Sequence, residues 1–145
     1  GDERMPVVSG SWTQSNMLNL GGRILNDDTG KIAYIGSWGI GAKLEKISFI
    51  DDLRHDLVFS FYKGTNHKDA AANGLTYGTD LTEKDRVFAI DLSNTYKIMK
   101  ELSLIADLGI AWPSFDKNTW RGVAGNAVDN QTQMWRTSVG FVYKF

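Results

Sequence analysis

The sequence predicts an all-β fold: an antiparallel transmembrane β-barrel, or the C-terminal part of a larger one. Three observations carry this. Apolar and polar residues alternate with period two over stretches of roughly 10 to 13 residues; globular strands have a mode near 5 to 6, and about 9 to 11 are needed to cross a bilayer obliquely. Aromatic side chains gather toward the ends of the apolar faces, at Trp38, Tyr96, Trp112, Trp135, Tyr143 and Phe145, as in the girdles that flank the lipid-facing band of membrane barrels. Short connections, at 50–55 and 99–101, alternate with long polar ones, at 66–84 and 114–132, with a further turn-rich stretch at 26–30.

Before Lys31 the pattern is weak, and Val7 to Trp12 and Met17 to Leu25 read as one or two further strands or an ordered loop. The first clear strand covers 37–47, where Trp38, Ile40, Ala42 and Leu44 alternate with Ser37, Gly39, Gly41, Lys43 and Glu45. Its pattern slips near Ile47 and Phe49, which marks a bulge or the turn itself. The second strand, 56–65, sets Leu57, Phe59 and Phe61 against Asp56, Ser60 and Gly64. The third, 86–98, carries Phe88, Ile90, Leu92, Tyr96 and Ile98 on one side, interrupted only by Asn94. In the fourth, 102–113, Leu102, Leu104, Ala106, Leu108, Ile110 and Trp112 form an unbroken apolar face. A helical reading of that region fails, because a 3.6-residue period would scatter these side chains around the cylinder. The last strand, 133–145, places Trp135, Thr137, Val139, Phe141, Tyr143 and Phe145 together.

Composition narrows the function. The 145 residues suit a single domain of about eight strands with their loops, too few for a complete 16-stranded pore. Sixteen Lys and Arg against 17 Asp and Glu give a net charge of −1, so no basic excess points to nucleic acid. Zero cysteines exclude disulfides, thiolate metal sites and cysteine nucleophiles, and two histidines make a multi-histidine metal centre an unfavoured reading. The reading assigns no metal, no cofactor and no catalytic residue. No apolar run reaches the length of a spanning helix. The chain starts at Gly1 with no initiator Met or signal-peptide core, and is expected to be a mature chain or an excised piece.

If the sheet crosses lipid, every backbone N–H and C=O must be paired in a closed sheet, and the two faces divide the labour. Trp38, Phe88, Ile90, Leu104, Leu108, Ile110, Trp112, Trp135, Val139, Phe141 and Tyr143 are then expected to face lipid. Lys43, Glu45, Asp91, Lys97, Asp107, Arg136 and Lys144 fall on the opposite face and are candidates for lining a pore. The chain ends in Phe145 with Tyr143, Phe141, Val139 and Thr137 at alternate positions. This resembles the C-terminal strand by which bacterial outer-membrane barrels are recognised by their insertion machinery, which would make Phe141, Tyr143 and Phe145 an assembly signal.

A wider resemblance rests on KLEKISFIDDLRHDLVFSFYKGTN, DRVFAIDLSNTYKIMKELSLIADLGIAW and MWRTSVGFVYKF. Together these resemble the C-terminal portion of the outer-membrane homotrimeric porins of sulfate-reducing bacteria, over Lys43 to Phe145, with ERMP and NDDTG compatible with that family's loops. The resemblance implies a homotrimer in the bacterial outer membrane, surrounded by lipid, whose water-filled barrels pass small hydrophilic solutes and ions down their gradients. The family's chains are several times longer. Three readings follow: a C-terminal fragment, a self-contained small barrel whose interior is filled by side chains, or a truncated relative. The functional alternatives are a non-conducting structural or adhesive small barrel and a soluble β-barrel or sandwich that binds an apolar ligand.

Other constellations have plainer explanations. Asp51, Asp52, Arg54, His55 and Asp56 read as a solvated, charge-paired turn. A Ser60, His55 and Asp56 triad fails because adjacent strand residues point to opposite faces. Asp116, Asn118 and Gly122 match part of a calcium loop, but its twelfth-position Glu is replaced by Ala127. His67, Lys68 and Asp69 read as solvated loop, and Trp12 and Trp120 as loop anchors or, less favoured, sugar platforms.

Overall fold

The computed structural model describes residues 36–78, 80–124 and 133–145. The weak strands expected before Lys31, the NDDTG turn and Trp12 lie outside the described residues. Five strands follow one another as an antiparallel meander: β1 (Ser37–Ile50), β2 (Leu53–Gly64), β3 (Arg86–Lys97), β4 (Leu102–Ser114) and β5 (Met134–Tyr143), hydrogen-bonded in that order. The described sheet is all-β and antiparallel but open, with β1 and β5 at its edges. A 3-10 turn, Lys68–Asn73, lies between β2 and β3, and a short helix α1, Lys117–Ala124, between β4 and β5.

The first hairpin differs most from the periodicity. β1 continues to Ile50 through register shifts between Leu44 and Ile47 and between Ile47 and Ile50, with Lys46 at a φ of 58°. The slip at Ile47 is thus a bulge, and the strand resumes beyond it. The turn itself is only Asp51–Asp52, with Asp52 at a φ of 63°, and β2 begins at Leu53 rather than 56. Charged Arg54 and Asp56 resemble turn residues in the sequence, yet both fall on the face that carries Val58 and Ser60, where charge is tolerated. The turn is tied to the sheet by the Lys97 amide donating to the Asp52 carbonyl (2.8 Å), and the next turn by the Lys144 amide donating to the Glu101 carbonyl (2.9 Å).

A compact core lies on one side of the sheet, at the end of the long connections. Tyr62, Val87, Ala89 and Ala111 from the strands meet Ala71, Leu75, Leu81, Phe115 and Trp120 from the connections. Gly39 matters here, because a Cβ at this position would lie 2.8 Å from Cδ1 of Tyr62, whose ring covers the glycine. Gly64 is equally constrained: its amide donates to the Asp85 carbonyl (3.1 Å), and a Cβ would collide with the backbone of Leu81 and Thr82. These close approaches fold the 65–85 connection back over the sheet.

Candidate functional site: the two faces of the sheet

Antiparallel register places side chains in rows across the strands. On one face the rows run Ile40–Phe61–Phe88–Trp112, then Ala42–Phe59–Ile90–Ile110–Trp135, then Leu44–Leu57–Leu92–Leu108–Thr137. Nearer the short turns come His55–Asn94–Ala106–Val139 and Leu53–Tyr96–Leu104–Phe141. Trp38, Leu102 and Tyr143 complete this face at its two ends. All eleven residues expected to face lipid therefore share one face. Phe88 stacks on Trp112 (centroids 5.6 Å) and Trp38 tilts against Phe61 (5.8 Å), forming an aromatic row at the end of the long connections. Tyr96, Phe141 and Tyr143 mark the other end, with Tyr143 packed edge-on against Phe145 at 5.1 Å. From Phe88 to Tyr96 the strand climbs about 27 Å, or about 20 Å in height at a tilt near 40°.

The opposite face is mixed: apolar under the long connections, where Tyr62, Val87, Ala89 and Ala111 pack, and polar at its centre. Its central rows are Val58–Asp91–Gly109–Arg136 and Asp56–Ser93–Asp107–Ser138. Relative exposure is inverted from that of a soluble sheet: Asp91, Ser60 and Ser93 are 1%, 2% and 4% exposed, while Trp135, Phe141 and Val139 are 75%, 67% and 64% exposed. The register brings Asp91, Asp107 and Arg136 together mid-sheet. Gly109, lacking a side chain, separates Asp91 from Arg136 in one row, so the long guanidinium arm has room to extend over it, and Asp107 lies diagonal to Arg136. Lys43 and Glu45 form an ion pair with each other on β1. Lys97, opposite Ser103, and Lys144, just past β5, sit at the short-turn end. Lys43, Asp91, Lys97, Asp107 and Arg136 therefore share one face by register, with Glu45 held to Lys43 and Lys144 just beyond β5, and the seven candidates fall in three groups rather than a single ring. Ser60 Oγ and Ser138 Oγ are buried on this face without a hydrogen-bond partner.

The long connections cover the upper part of the same face, and Asp85 holds them. Its Oδ2 accepts from the Thr82 amide (2.7 Å), the Thr82 hydroxyl (2.7 Å) and Trp120 Nε1 (2.9 Å), and its Oδ1 from the Asp116 amide (2.8 Å). Trp120 is fully buried, a loop anchor. Tyr77 packs on Phe115 (5.0 Å) and Trp120 (5.6 Å); burial, then the nearby Asp85 carboxylate, raises its phenol above the usual range. Asp116 caps α1: its Oδ2 accepts from the Thr119 hydroxyl (2.6 Å) and amide (2.9 Å). The Thr119 hydroxyl is the chief reason its carboxyl lies below the ordinary value, helped by the Thr119 and Asn118 amides and by Lys84, and partly opposed by burial. The fragment that matched a calcium loop is thus a helix start. Among the described residues no group of three His, Asp or Glu is placed to hold a metal.

One polar feature of the apolar face was not assigned from sequence. His55 Nδ1 lies 2.6 Å from Asn94 Oδ1, and Asn94 Nδ2 donates to the Ala106 carbonyl at 3.0 Å. The signal was the lone Asn interrupting the apolar side of β3. His55 and Asn94 are cross-strand partners, while Ser60 and Asp56 point to the other face, so no triad assembles.

Comparison with family models, with curated proteins and with solved structures finds no match. No helix among the described residues is long and apolar enough to cross a membrane, which leaves crossing by strands untouched.

Proposed function

We propose that this chain forms wall strands of an outer-membrane β-barrel of porin type, through which small hydrophilic solutes and ions diffuse. The observation that carries the reading is the inverted sheet: a five-strand apolar face, exposed and bracketed by aromatic rows, backs onto a face whose centre holds buried Asp91, Asp107, Ser60 and Ser93 beside a half-buried Arg136. An exposed apolar surface that continuous is a poor surface for water and a good one for lipid. Closure would supply partners for the edges that β1 and β5 present among the described residues, since lipid supplies none. On this reading the molecule resides in the bacterial outer membrane as a homotrimer, and Phe141, Tyr143 and Phe145 address it to the insertion machinery.

The test is single-channel recording from the complete polypeptide refolded in detergent and added to a planar bilayer. Stepwise conductance is expected. Arg136→Gln removes a cation from the row shared with Asp91 and should shift ion preference toward cations without lowering refolding yield. A folded, inserted protein that passes no current would instead establish the non-conducting small barrel, a reading favoured by the connections packed over the inner face. Stable monodispersity without detergent would establish the soluble alternative.

A further inference from the structure

Lys63 and Arg86 occupy one cross-strand pair of β2 and β3, on the apolar face and directly above the Phe61–Phe88 row. Residues directly opposite have Cβ atoms within about 5.5 Å, and like charges in that position repel. Both side chains are exposed, and among the described residues neither makes an ion pair or a side-chain hydrogen bond. The nearest acid in sequence, Asp85, is buried and engaged by Thr82, Asp116 and Trp120. Two adjacent cations that form no ion pair among the described residues present a fork for an anion.

Their setting specifies the anion. Trp38, opposite Lys63, and Trp112, opposite Phe88, flank the site with rings of the interfacial kind. Long basic side chains there lay their stems on the apolar surface and hold their charges at headgroup level. Past the Phe88–Trp112 row, starting at Ile90, an open apolar groove of about 260 Å³ runs between Leu92, Leu108, Ile110, Trp135 and Thr137, with Gly109 and Arg136 also on its lining. A charged head above and an apolar furrow below match one molecule with both parts. We propose that Lys63 and Arg86 bind the phosphate of a lipid headgroup in the leaflet at the long-connection end, with an acyl chain of the same lipid lying in the groove. This rests on the barrel reading only in requiring that this face meet lipid.

The complete polypeptide is reconstituted in phosphatidylcholine vesicles with and without phosphatidic acid as the phosphomonoester probe, and lipid retained after mild detergent extraction is measured by native mass spectrometry. Selective retention of phosphatidic acid is expected. It should weaken roughly 5-fold in Lys63→Gln or Arg86→Gln and roughly 30-fold in the double variant, and persist in Lys63→Arg and in Lys100→Gln, at the opposite end. Millimolar inorganic phosphate should not displace the lipid. Equal retention by wild type and double variant, both protease-protected in vesicles, would overturn the proposal and leave the barrel intact. Displacement by inorganic phosphate would overturn it in favour of a soluble-anion site. A wild type that does not insert would remove the barrel reading and the proposal together.

Discussion

Asp85 is the residue on which the layer over the sheet depends most. Its carboxylate is the acceptor for an indole, a hydroxyl and two amides, and truncating it leaves those donors in a dry core. Asp85→Ala is expected to loosen the 65–85 and 115–124 segments by about 3 kcal/mol, enough to speed their proteolysis about 100-fold while the strands stay protected. Asp116 makes a pH-dependent contribution of the same kind. Because its folded-state carboxyl sits below the ordinary 3.8, the helix-capping contribution is complete above that pH and is lost as pH falls through the lowered folded value. Protease sensitivity of α1 should therefore rise below pH 3.8 in the wild type. That rise should be flattened in Asp116→Asn, which keeps the cap and removes the titration.

Individual strands were largely legible because a pleated strand with different solvents on its two faces writes period two into the chain. Leu104, Leu108 and Ile110 on β4, and Val139 and Phe141 on β5, could be placed on one face from alternation alone. What the pattern could not show was how β1 ends: the bulge at Lys46 inserts residues without changing composition, and Asp51–Asp52 is too short to distinguish from the charged strand start that follows. Nor does α1 announce itself, since an eight-residue helix has little periodicity to display; only the buried Trp120 was conspicuous. The His55–Asn94 pair needed a register, which links residues 39 apart. At this scale the prediction is positional. Leu108→Arg, in a row mid-way between the aromatic ends, should cost about 2–4 kcal/mol of membrane stability, and a charge near Tyr143 about 0–1 kcal/mol. Urea titrations in lipid vesicles measure both.

Across the whole molecule, the proposed barrel rests on exchanging the solvents of the two faces. Water on the apolar side would leave Trp135, Val139 and Phe141 exposed at a steep hydrophobic cost, while Asp91, Ser60 and Ser93 lie covered on the other side. In the proposed barrel, lipid outside and a polar interior would remove that conflict, and the edges that β1 and β5 present among the described residues would become seams for closure. The sequence contains no cysteine, so single cysteines introduced one at a time along Met134–Tyr143 can each carry a spin label without interference from this chain. In lipid vesicles, accessibility to oxygen, which concentrates in hydrocarbon, should peak at 137, 139 and 141, and accessibility to a water-soluble nickel chelate at 136, 138 and 140. Chelate access without alternation, or with the two sets exchanged, would contradict the assignment of the apolar face to lipid.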